Sequence, residues 1–74
     1  MTIFQKGDEV IRKGSTTDYT TGRRGIIIET IPAIGKFAPR YRVHWLKDSS
    51  GGTINVRTWC MSNSLQKTNH EQRH

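Results

Sequence analysis

Arg40-Tyr41-Arg42-Val43-His44-Trp45 is the stretch on which the reading of the whole chain turns. Apolar and polar residues alternate through it without a break, and in an extended strand successive side chains point to opposite faces. Tyr41, Val43 and Trp45 therefore share one face, suited to a core, and Arg40, Arg42 and His44 share the other. Outward from this strand the same period-two rhythm recurs in short runs punctuated by Gly, Pro, Ser, Thr and Asp. Nowhere does an apolar stripe persist at helical spacing. The pattern predicts an all-β protein with strands near 8–13, 24–31, 40–47 and 53–58. A Ser/Thr/Asp/Tyr loop at 14–22, a Pro/Gly loop at 32–39 and the polar turn Asp48-Ser49-Ser50-Gly51-Gly52 join them. Residues 60–65 leave room for no more than one helical turn. Residues 66–74 hold no apolar side chain, so a single domain over 1–65 with a flexible polar tail is expected.

In Thr53-Ile54-Asn55-Val56-Arg57-Thr58-Trp59 alternation sends Ile54, Val56 and Thr58 inward and leaves Asn55, Arg57 and Trp59 outward. Matching faces across the hairpin pairs Trp45 with Ile54, Val43 with Val56 and Tyr41 with Thr58; a slip of two residues would keep the faces and change the neighbours. The outward pairs are then His44 with Asn55, Arg42 with Arg57 and Arg40 with Trp59. In Ile26-Ile27-Ile28-Glu29, placing Ile26 and Ile28 on the core sends Ile27 and Ile31 to the outer face beside Glu29. The opposite phase would bury Glu29.

The chain has 74 residues, with 12 Lys or Arg against 6 Asp or Glu, for a formal charge of +6. A chain of this size has one small core and no room for a second domain or a deep multi-residue active site. Its longest apolar run, Ile26-Ile27-Ile28, is far short of the roughly 20 residues a helical membrane span needs. The start, Met1-Thr2-Ile3-Phe4-Gln5-Lys6-Gly7-Asp8, lacks the pattern of a secretory signal. Cys60 is the only cysteine, so no intrachain disulfide reinforces the core, and a reducing, cytoplasmic location is expected.

Charge is concentrated. Residues 32–62 carry Lys36, Arg40, Arg42, Lys47 and Arg57 against Asp48 alone, which accounts for four of the six net positive charges. An arginine pair opposed across the hairpin would repel unless an anion such as a phosphate lay over it, or unless Glu29 neutralised one member in a solvated cross-strand pair. Arg23 and Arg24 either extend this basic patch or are ordinary turn residues. Trp59 either stacks a nucleobase from the outer face or closes the end of the fold. Tyr19 and Phe37 are loop rings within reach of the same surface.

Gly7-Asp8-Glu9-Val10-Ile11-Arg12-Lys13-Gly14 followed by Gly22-Arg23-Arg24-Gly25-Ile26-Ile27-Ile28 resembles the KOW type of motif over residues 7–31. There a Gly-Asp-x-Val strand leads into a Gly-x-x-Gly turn and a second aliphatic strand, the glycines permitting tight reversal and close strand approach. This chain has seven residues, 15–21, where the family's loop is shorter. Tyr41-Arg42-Val43-His44-Trp45 is similar to the Tyr-x-Val-x-aromatic strand of Tudor and chromo-barrel modules. Both resemblances imply a small SH3-like β-barrel of about five short strands.

The resulting expectation is a non-catalytic nucleic-acid-binding protein acting in transcription, translation or DNA-related regulation. Its contacts would be Lys36, Arg40, Arg42, Lys47, Arg57, Trp59, Arg23 and Arg24. The alternative is an adaptor that docks on an acidic partner protein through Ile27 and Ile31, a pair that also makes a homodimer a candidate assembly. An aromatic cage for a methylated cation is disfavoured by the positive surroundings. No metal or cofactor site is expected: His70 and His74 lack further ligands, and the glycine pattern lacks the Gly-Lys-Ser/Thr ending of a phosphate loop. Small plasmid-borne dihydrofolate reductases have a similar Gly-Asp-x-Val opening. Their Val-Gln-Ile-Tyr active-site strand is missing, its region reading Ile54-Asn55-Val56-Arg57, so no enzyme is expected.

Overall fold

The computed structural model describes residues 4–15 and 17–68. They form a five-stranded antiparallel sheet: β1 (Glu9–Arg12), β2 (Arg24–Ile31), β3 (Arg40–Lys47), β4 (Thr53–Met61) and β5 (Leu65–Lys67), in the order β4-β3-β2-β1-β5. A 3-10 turn over Ser62–Ser64 links β4 to β5. The fold is all-β, as the alternation predicts. β4 runs three residues beyond the expected end at 58, and β5 takes in Gln66 and Lys67, which the sequence reading assigned to the tail. Leu65 explains that extension. Its side chain is buried, and the backbone following it pairs with β1, Gln66 opposite Ile11 and Lys67 opposite Val10. The remainder of the expected tail, 69–74, with His70 and His74, lies outside the described residues.

The sheet has to curl. Laid flat, its two edge strands would be about 19 Å apart at the usual strand spacing of about 4.8 Å. The four Cα steps from Met61 to Leu65 reach no more than about 14 Å even when extended, and a 3-10 turn is shorter still. The edges are therefore drawn together, with Phe4, Val10, Ile27, Tyr41, Val43, Trp45, Cys60 and Leu65 enclosed and Ile54 and Val56 packed against them. Phe4 meets Tyr41 edge-on, ring centroids 5.3 Å apart. Trp45 is fully buried, and its Nε1–H donates to Thr58 Oγ1 at 2.8 Å, so the large ring brings no unpaired donor into the core.

Two expectations are corrected. Ile27 is 1% exposed, a core residue and not part of an outer strip. Pairing passes from Ile27 opposite Val43 directly to Glu29 opposite Arg42, so Ile28 is an extra residue, a β-bulge. That bulge resets the phase, burying Ile27 while keeping Glu29 in solvent, an outcome that strict alternation does not allow. The hairpin register is also displaced by two residues from the predicted one: Trp45 faces Val56, Val43 faces Thr58, His44 faces Arg57 and Arg42 faces Trp59. Arg42 and Arg57 are thus not directly opposed. The shift lets Cys60 pair with Tyr41 and enter the core, and leaves Trp45 its hydroxyl partner.

Gly25 pairs with Trp45, and a Cβ built there would lie 2.5 Å from the His44 carbonyl oxygen and 2.9 Å from Val43 Cγ1. Gly22, three residues earlier, has φ +96°, which L-side chains rarely adopt. Gly25→Ala is expected to destabilise the protein by about 2–3 kcal/mol, because backbone atoms must move to admit the methyl group. Thermal unfolding should show a Tm lower by about 10 °C or more. A Tm within a degree or two of the parent would mean that β2 and β3 are not this close.

Candidate nucleic-acid interface

Outside the curl, β2, β3 and β4 present three cross-strand rows: Ile26, His44 and Arg57; Glu29, Arg42 and Trp59; Ile31, Arg40 and Met61. The middle row holds the most chemistry. Trp59 is 44% exposed, and the Arg42 guanidinium carbon lies 5.9 Å from its ring centroid. On the other side, Glu29 Oε1 is 3.6 Å from Arg42 Nη1. Arg42 therefore sits between a ring and a carboxylate. The exposed ion pair contributes only about 0–1 kcal/mol, so an incoming anion can replace it at small cost. Arg57 is the diagonal neighbour of Arg42, about 7–8 Å away along the sheet. His44 Nε2 is 2.7 Å from Asn55 Oδ1, donating to it as the Nε2–H tautomer.

Of the eight predicted contact residues, the structure gathers Arg40, Arg42, Arg57 and Trp59 on this face. Lys36 is exposed on the 32–39 loop that leads into Arg40, beside the pairing of Ile34 with Phe37. Lys47 and Arg24 face each other at the far end of β3, next to the 48–52 turn, about 23 Å from Arg40 along the strand. Arg23 stands outside these rows, its guanidinium carbon lying 5.4 Å from the centroid of the exposed Tyr19 ring. Ile31 is half-buried and lines an apolar cleft of about 500 Å³ with Phe4, Pro32, Pro39 and Tyr41. Alternation already puts His44 on this face and offers Glu29 as the acid that neutralises one arginine; Met61 lies beyond the expected end of β4 and joins the face only because that strand is longer.

The sequence reading missed Arg12. Alternation from buried Val10 aims Arg12 toward the interior, and there it ties the long loop to the curl. Its Nε–H donates to Thr20 Oγ1 at 3.1 Å, Nη1 contacts Cys60 Sγ at 3.8 Å, and Nη2 lies 3.5 Å from Asp18 Oδ2. Arg12, Thr20, Arg23, Trp45, Thr58 and Trp59 line a cleft of about 190 Å³ between this loop and β4. Within it the Arg23 Nε–H is buried and has no hydrogen-bond partner, a deficit that usually costs about 1–3 kcal/mol.

Two aspartates hold the flanking turns. The backbone N–H and the hydroxyl of Thr20 both donate to Asp18, and with the nearby Arg12 charge they hold its carboxyl below the usual range. The Ser50 hydroxyl and backbone N–H, the Gly52 N–H and the charge of Arg23 do the same for Asp48. A carboxylate with a depressed folded-state pKa contributes stability that is complete above its ordinary pKa and is lost as pH falls through that value toward the folded one. Tm should therefore drop as pH falls below about 4. Asp18→Asn, which still accepts the turn hydrogen bonds, should flatten that acid limb. An acid limb of unchanged steepness in Asp18→Asn would show that the charge of Asp18 is not involved.

Comparison of the chain with protein-family models, with curated proteins and with solved structures gives no match, so function has to be read from the chain's own geometry.

Proposed function

We propose that this protein is a non-catalytic nucleic-acid binder that uses the outer face of β2, β3 and β4. The observation that carries the reading is Trp59, a large ring held in the open beside Arg42, with Arg40, Arg57 and His44 around it and Glu29 as the acid in those rows. Nucleobases stack on exposed rings, phosphates pair with arginines, and an exposed strand face offers both at a spacing that single-stranded chains follow. A tryptophan gains little from exposure in a small domain short of apolar residues unless something covers it. The strand order β4-β3-β2-β1-β5 and the curl support assigning the fold to the SH3-like barrels, in line with the KOW-like and Tudor-like stretches. Cytoplasmic regulation of transcription, translation or a DNA-related process is the setting that fits this reading.

The adaptor reading keeps one supporting observation, the apolar cleft at Ile31 with Ile34 and Phe37 exposed on the adjoining loop. Ile27, buried, no longer contributes to it or to a homodimer interface.

Fluorescence anisotropy with labelled single-stranded DNA and RNA tests the proposal. For three phosphates held by Arg40, Arg42 and Arg57, log affinity should fall against log salt with a slope of about −2 to −3. Arg42→Ala combined with Arg57→Ala should reduce that slope by about 1.5. Trp59→Ala should weaken binding about tenfold at any salt concentration. Glu29→Gln should strengthen it by about two- to fivefold, since Arg42 loses its competing carboxylate. Absence of binding at low salt, or equal affinity for the Trp59→Ala variant, would sink the reading; nuclease-insensitive capture of a partner that depends on Ile31 would favour the adaptor.

A further inference from the structure

The cleft between the 14–22 loop and β4 has a composition that the outer face does not explain. Two guanidiniums enter it from different elements, Arg12 from the end of β1 and Arg23 from the turn before β2. Arg12 is satisfied by Thr20, Cys60 and Asp18. The Arg23 guanidinium carbon lies 5.4 Å from the centroid of the exposed Tyr19 ring, and its Nε–H is buried and unpaired. A cationic donor withdrawn from water without an acceptor is unfavourable, and an anion drawn against the same guanidinium would offset that cost through its charge. The acids nearby do not supply that anion. Asp18 is engaged by Thr20 and Arg12, and Asp48, although it feels the Arg23 charge, is hydrogen-bonded within its own turn. Two guanidiniums against Asp18 leave the cleft positive.

We infer that this cleft is a binding site for a phosphate group, held by Arg23 and Arg12 with the Thr58 hydroxyl alongside, while the Thr20 hydroxyl, committed to Asp18, holds Arg12 in place. A planar guanidinium matches phosphate oxygens better than a point charge does, and the Thr58 hydroxyl, which accepts from Trp45 Nε1–H, has beside it only Cys60 Sγ at 3.6 Å, a weak acceptor that a phosphate oxygen would displace. The volume of about 190 Å³ takes a phosphate with the first atoms of its ester. Trp59 lines the cleft and also stands in the middle row of the outer face, so a bound phosphate is continuous with the nucleic-acid surface. Assigning that phosphate to a nucleic-acid terminus rests on the proposed function; the phosphate site itself does not.

Inorganic phosphate is the first probe. In the intact ¹⁵N-labelled protein, the Arg23 Nε–H resonance should move saturably during titration, and Tm should rise by about 6–11 °C at ten times Kd. Acetate at matched ionic strength should produce neither effect. Arg23→Gln should abolish both, Arg23→Lys should weaken binding about tenfold, and Lys36→Ala, on the exposed 32–39 loop, should leave it unchanged. A linear, unsaturated shift, an equal response to acetate, or retention of the effect in Arg23→Gln would overturn the site; the resonance of the parent protein decides the matter even if a variant fails to fold. Oligonucleotides with and without a 5′-phosphate separate the sources. About tenfold tighter binding of the phosphorylated form supports a nucleic-acid terminus. Equal binding of the two oligonucleotides, with free phosphate still bound, supports a small phosphate ester. Phosphate binding with no oligonucleotide binding at all leaves the site standing and removes the proposed function.

Discussion

Gly25 and Trp45 face one another across β2 and β3, and the rest of the molecule depends on that pairing. The missing side chain lets β2 come against the His44 carbonyl and Val43, while the largest side chain in the protein fills the interior beside it. In a chain with so few aliphatic residues, one tryptophan provides much of the apolar area that folding can bury. Its indole N–H must then be satisfied, which requires Thr58 within reach and so constrains the β3–β4 register. With that register set, Cys60 is drawn inside and Trp59 is left outside.

Alternation made the strands legible, because period two is a direct consequence of extended backbone geometry and β3 displays it unbroken from Arg40 to Trp45. It made the inner face of β3 and the outward direction of Arg57 and Trp59 legible for the same reason. It failed at Ile27 because a bulge is a local departure from the period, and the energetic reason for it, burying Ile27 without burying Glu29, needs the position of β3 to be known. It failed on the hairpin register because two registers two residues apart place the same residues on the same faces; what separates them is the Trp45 hydrogen bond and the burial of Cys60, both tertiary. The gathering of Arg40, Arg42, Arg57 and Trp59 was within reach of the sequence, and the separation of Lys47 and Arg24 from them was not. Arg12 could have been found, since an arginine in phase with a core valine implies a partner, here Asp18 and Thr20.

The outer face and the seam cleft use arginine differently. On the face, Arg42 is held loosely between Glu29 and Trp59 in solvent, a setting in which exchange of one anion for another costs little. In the cleft, the Nε–H of Arg23 is withdrawn from water while the guanidinium carbon lies near the exposed Tyr19 ring, a setting in which an absent partner is felt strongly. Trp59 touches both environments. Density of charge alone, which first drew attention to β3 and β4, does not distinguish these roles; burial does.

The link through Ser62–Ser64 brings the last described strand back beside the first, with Val10 opposite Lys67 and the Lys13 N–H donating to the Ser64 carbonyl. The contacts that complete the core are therefore the most distant along the chain. During synthesis, β2, β3 and β4 can form their hairpins as they emerge, but Leu65 is not yet there to fill the interior. Completing the core of this small sheet therefore requires closing the longest loop in the described chain, an entropic cost that local hairpin formation alone does not meet.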